Sequence, residues 1–135
     1  MLQAVIAKLG LIICVLALAG CSPVGARGEA ADSVAVKLMT AVDSKDGASA
    51  CATLAPDTLA ELEQSAGKPC AEAILDEDLP KPGPVTGTDV YGQWAQVRLS
   101  DDTLFLAVFP GGWRVVAAGC TPRGERPYDC TLQGG

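Results

Sequence analysis

LPKPGPVTG, residues 79–87, divides this 135-residue chain in two. Three prolines and two glycines so close together cannot continue a helix, because proline lacks an N–H and turns the residue before it away from α geometry. Upstream of the stretch, apolar residues recur at helical spacing. Downstream they alternate, or run in short blocks between turn signals. The stretch therefore predicts an α+β chain with helices first and strands after.

Four strands are expected downstream: GTDVYG, QWAQVRL, TLFLAVF and WRVVAAGC. They are separated by Gly92, by Ser100-Asp101-Asp102 and by Pro110-Gly111-Gly112, each short enough for a hairpin, which predicts an antiparallel meander. In the second strand Ala95, Val97 and Leu99 alternate with Trp94, Gln96 and Arg98, the pattern of one buried and one wetter face. The third is apolar on both faces and should be central. The last fifteen residues, TPRGERPYDCTLQGG, read as a loop-like tail tied back by Cys130.

Upstream, Asp32 or Ser33 caps a helix whose Ala35, Leu38, Met39 and Val42 share a face, ending near Asp46-Gly47. Ala48, Cys51 and Leu54 keep helical spacing up to Pro56. Thr58-x-x-Glu61 then forms a capping box ahead of Leu59, Leu62 and Ala66, with Gly67 as the stop. Pro69 opens a fourth short helix carrying Cys70, Ala73 and Ile74 on one face.

The beginning of the chain has a different character. An apolar run from Leu9 to Ala19 follows a start whose only side-chain cation is Lys8, and it ends in small residues, as a secretory signal does. The run is about half of the roughly twenty residues that span a bilayer. It closes with Leu18-Ala19-Gly20-Cys21, which resembles the lipobox of bacterial lipoproteins. That resemblance implies cleavage before Cys21 and acyl chains, palmitate among them, on the cysteine. The protein would then be anchored at the extracytoplasmic face of the cell membrane. The expected organisation is a signal peptide over residues 1–20, a flexible tether over 21–31 and a single domain over 32–135.

Without residues 1–20 the chain keeps all 16 acids and 9 of its 10 bases, a formal charge of −7. A nucleic-acid partner is disfavoured, because phosphate contacts need clustered Lys and Arg. Histidine is absent. Four cysteines, Cys51, Cys70, Cys120 and Cys130, remain beside Cys21, and an even number in an exported chain implies disulfides. Of three possible connectivities, Cys51 with Cys70 and Cys120 with Cys130 is favoured, since each pair stays within one region. Wide spacing and the lack of histidine argue against a zinc site, and no metal or other cofactor is expected.

Helices followed by a curved meander whose last strand opens with Trp113-Arg114-Val115 resemble the NTF2-like, or SnoaL-like, cone fold. More narrowly, Asp46-Gly47-Ala48-Ser49-Ala50-Cys51 and the run from Cys70 to Ala73 resemble motifs of small actinobacterial lipoproteins of that type. The resemblance covers residues 32–120 and implies helices packed on a four-stranded antiparallel sheet. Cone folds host enzymes, binding modules and assembly domains alike.

Members that act as isomerases or dehydratases use Asp, His or Tyr groups in the cone, and the nearest candidates here are Asp89, Tyr91 and Arg98. Asp89 and Tyr91, two apart on one strand face, would serve as acid and base. Asp101 and Asp102 read as turn residues. Asp76-Glu77-Asp78 lacks the alternating spacing of a calcium loop, and no serine sits in a GxSxG turn. All six aromatic residues lie in the strand half, and Tyr91, Trp94, Phe105 and Trp113 are the candidate binding residues. The expectation is a non-catalytic module that binds an envelope protein or a small apolar ligand. The alternative is a small enzyme using Asp89 and Tyr91 on an apolar substrate. A buried Asp89 facing a cavity would favour the enzyme; an exposed Asp89 over a filled interior would favour the module.

Overall fold

The computed structural model describes residues 24–135; residues 1–20, expected as a signal peptide, and Cys21 lie outside them. Four helices precede the strands: α1 (Val24–Asp43), α2 (Gly47–Cys51), α3 (Pro56–Ala66) and α4 (Cys70–Asp76). Five strands follow: β1 (Val85–Tyr91), β2 (Trp94–Leu99), β3 (Thr103–Phe109), β4 (Gly112–Arg123) and β5 (Arg126–Gln133). They form one open antiparallel sheet in the order β1-β2-β3-β4-β5, with β3 at its centre. Helix gives way to strand across the proline-rich stretch, between Asp76 and Val85.

The sheet has five strands where four were expected. Residues 126–133 pair with β4 beyond a tight turn at Gly124-Glu125, and Gly124 sits at φ +66°, a left-handed geometry that suits glycine at the first position of such a turn. Polar residues conceal this strand in the sequence because it lies at the sheet edge, and much of it faces solvent. The stretch expected as a tether also differs, since residues 24–31 form the first two turns of α1. Their small side chains offer little apolar area, which is why composition suggests a linker. Here that smallness lets the helix lie close to β1: Ala31 is fully buried and Gly28 faces Thr88 and Val90. Helix α3 starts at Pro56, in the first-turn position that suits proline, and not behind a Thr58 cap. Thr58 is fully buried, and its hydroxyl donates to the Val116 carbonyl at 2.9 Å.

All four helices cover one face of the sheet. Leu38 and Met39 of α1, Leu62 of α3 and Ile74 of α4 pack with Ala95, Val97 and Leu99 of β2, Leu104 and Leu106 of β3, and Trp113, Val115 and Ala118 of β4. The expected alternation along β2 is thus the inward and outward faces of the sheet. Strand β4 bends in its middle, where the register against β3 shifts between Phe105 and Leu106. Before the bend its free edge is taken by residues 53–55, through Ala55 N–H to Val115 O and Val115 N–H to Thr53 O, both 2.8 Å. After the bend β5 takes over.

Candidate functional site

The face of the sheet turned away from the helices carries the chemistry. Cross-strand register sets Asp89 opposite Gln96 and Gln96 opposite Phe105, with Tyr91 opposite Trp94 at the β1–β2 turn. Directly opposed residues point the same way, so Asp89, Tyr91, Trp94, Gln96, Arg98 and Phe105 share this face. Tyr128 of β5 joins them, its ring edge-on to Phe105 with centroids 5.0 Å apart. Gln96 Nε2 donates to the Tyr128 hydroxyl at 3.1 Å. In a flat sheet β5 would stand about 14 Å from β2, three strand spacings away. The contact means that the β4–β5 ribbon curls over the outward face and roofs one end of it. At the other end Tyr91 and Trp94 remain 53% and 50% exposed.

Asp89 is not in a cavity. Its carboxylate is 55% exposed and accepts from Arg98 Nη1 at 2.6 Å, and this bond and its charge hold the Arg98 guanidinium yet more firmly protonated. Tyr91 lies two residues on along the same strand face, so the sequence places this pair correctly, but Asp89 is engaged with a cation. The space between helices and sheet, where a cone fold would hold a ligand, is filled by Leu38, Met39, Ile74, Val97, Leu104, Leu106 and Val115, all fully buried.

Of the four candidate binding aromatics, Tyr91, Trp94 and Phe105 stand on the outward face, while Trp113 is on the other side of the sheet. Trp113 is 8% exposed within the core cluster. The Arg27 guanidinium lies 5.5 Å from its ring centroid and also donates to the Gly92 carbonyl at 2.6 Å. The four therefore do not wall a common pocket.

Two residues gain roles that sequence reasoning did not give them. Asp102 is buried at the β2–β3 turn. Its Oδ1 accepts from Thr103 N–H at 2.7 Å and Cys120 N–H at 3.0 Å, and its Oδ2 from Gly119 N–H at 3.0 Å. It clamps the far half of β4 to that turn. Burial pushes its carboxyl above the ordinary carboxylate range, against the pull of the three N–H groups. In the sequence it is indistinguishable from its exposed neighbour Asp101. Arg27 is the other, hidden in a stretch whose composition suggests a linker.

A cleft of about 520 Å³ opens between the α2–α3 connection and the β3–β4 hairpin, lined by Leu54, Pro56, Leu59, Phe109, Pro110 and Arg114. Arg114 donates to the Ala52 carbonyl at its edge. The disulfides are Cys51–Cys70, joining α2 to α4, and Cys120–Cys130, joining directly opposed residues of β4 and β5. Among the described residues no group of His, Cys, Asp and Glu is arranged to hold a metal ion, and no helix is long and apolar enough to cross a membrane. No protein-family model, curated protein or solved structure matches the chain.

Proposed function

We propose that this chain is a lipid-anchored extracytoplasmic lipoprotein of NTF2-like type that acts as a binding module without catalysis. The observation that carries the reading is an exposed, ion-paired Asp89 above an interior filled with aliphatic side chains. A useful general base needs burial or a neighbour that brings its pKa toward the working pH, whereas the Asp89 carboxylate is largely exposed and already engaged by the Arg98 guanidinium at 2.6 Å. What the outward face offers instead is contact area: rigid aromatics around one amide and one ion pair, a composition suited to a protein surface or an apolar ligand. The anchor rests on the Leu18-Ala19-Gly20-Cys21 motif and on the need for two or more acyl chains to hold a protein stably at a membrane.

Three experiments test it. Intact-mass analysis of protein extracted from its native membrane is expected to show a chain starting at Cys21 with added lipid; an unmodified Cys21 in that fraction removes the anchor. A photo-crosslinking residue at Gln96, on the outward face, is expected to capture a partner that the same residue at Lys37 on α1 does not. Asp89→Asn is expected to leave complementation of a deletion strain and thermal unfolding unchanged. Loss of complementation with unchanged unfolding would replace the module by an acid–base enzyme built on Asp89 and Tyr91.

A further inference from the structure

Six large apolar side chains stand exposed among the described residues: Val24, Val36, Val85, Tyr91, Trp94 and Val108. Four of them gather at one end of the molecule. Tyr91 and Trp94 flank the β1–β2 turn, and Val108 N–H donates to the Gln93 carbonyl of that turn at 2.9 Å. Val24 begins α1, 69% exposed, and one turn further on Arg27 Nη2 reaches the Gly92 carbonyl at 2.6 Å. The first turn of α1 is therefore held against this hairpin.

Cys21 precedes Val24 by three residues, so its Cα lies within about 11 Å of Val24 Cα whatever the conformation between them. The anchoring cysteine and the aromatic tip consequently share one end of the domain.

Tyrosine and tryptophan, each with an apolar body and a polar edge, concentrate at the boundary between lipid headgroups and acyl chains. We infer that the β1–β2 tip, with Tyr91 and Trp94 as its anchors, seats in that boundary of the same membrane that holds the acylated Cys21. The inference rests on the lipid attachment proposed above. It adds a second point of contact: the acyl chains set distance, and the tip sets orientation, standing the outward face of the sheet beside the bilayer.

The test uses the lipidated chain, purified from its native membrane and reconstituted into phosphatidylethanolamine–phosphatidylglycerol vesicles with or without bromine-labelled acyl chains. Trp94 is expected to show blue-shifted emission that the brominated lipid quenches, and Trp94→Phe to abolish that quenched component while leaving the emission of core Trp113. Mass analysis of the same sample reports the lipid on Cys21 independently. Acylated protein whose Trp94 stays unquenched overturns the tip contact and leaves the anchor standing; protein without lipid overturns both. An emission shift that appears with rising protein concentration in detergent, unquenched in vesicles, assigns the tip to a second copy of the chain and also overturns the inference.

Discussion

Asp102 concentrates more of the sheet's geometry in one side chain than any aromatic residue does. Its two oxygens satisfy three backbone N–H groups at the β2–β3 turn and at the far half of β4, where ladder partners on the β3 side run out. Asp102→Ala leaves those donors without their acceptor and is expected to cost about 3 kcal/mol in urea unfolding. Because the folded protein holds this proton more tightly than the unfolded chain, its contribution is fullest below the ordinary carboxylate range. It declines as pH rises through the raised value. The stability difference between the protein and Asp102→Asn, read from unfolding curves across that window, is expected to shift against the protein as pH rises. Trp113 has a simpler dependence on burial. Trp113→Ala empties a core site and removes the ring beneath Arg27, with an expected loss of about 3–5 kcal/mol by the same measurement.

At the scale of elements, the interface between α2 and α4 explains a motif legible in the sequence. In Asp46-Gly47-Ala48-Ser49-Ala50-Cys51 the Asp46 carboxylate accepts from Ser49 N–H at 3.1 Å and caps α2, and Cys51 reaches Cys70. Gly47 is there for closeness: a Cβ on it would stand 1.9 Å from the Ala71 carbonyl oxygen of α4. Gly47→Ala is expected to destabilise by about 2–3 kcal/mol, since neither backbone can retreat while the bridge holds them. Replacing Cys51 and Cys70 together by alanine is expected to lower stability by about 3 kcal/mol, read from the urea midpoint without reductant. Strong periodicity and glycine stops made α1's core face, the end of α3 at Gly67 and the first three hairpins legible. The start of α1 and the whole of β5 were not, because both are settled by contact with the sheet. Small residues look like a linker until a strand lies beside them, and an edge strand with proline and charge looks like a tail until its ladder partner is known. The outward face followed from alternation along β2. What covers one end of it did not, because only the curl of the β4–β5 ribbon brings Tyr128 over Phe105.

At the scale of the molecule, helices and sheet meet across one continuous apolar core, yet covalently they are almost separate. One bridge lies wholly before the proline-rich stretch and the other wholly after it. A chain interrupted at Pro82-Gly83 would therefore become two polypeptides with no sulfur bond between them. Expressed apart, each is expected to oxidise to its own native pair, and mixing them to give a one-to-one complex whose dissociation by urea, followed by size-exclusion chromatography, reports the strength of the helix–sheet contact alone. Cross-linked heterodimers in that mixture would contradict the prediction. The oxidation chemistry of either half is blind to the other, so one half can be exchanged for a different sequence without rewiring its neighbour's cysteines. Recombination between genes is thereby left free to try new sheets beneath an old set of helices.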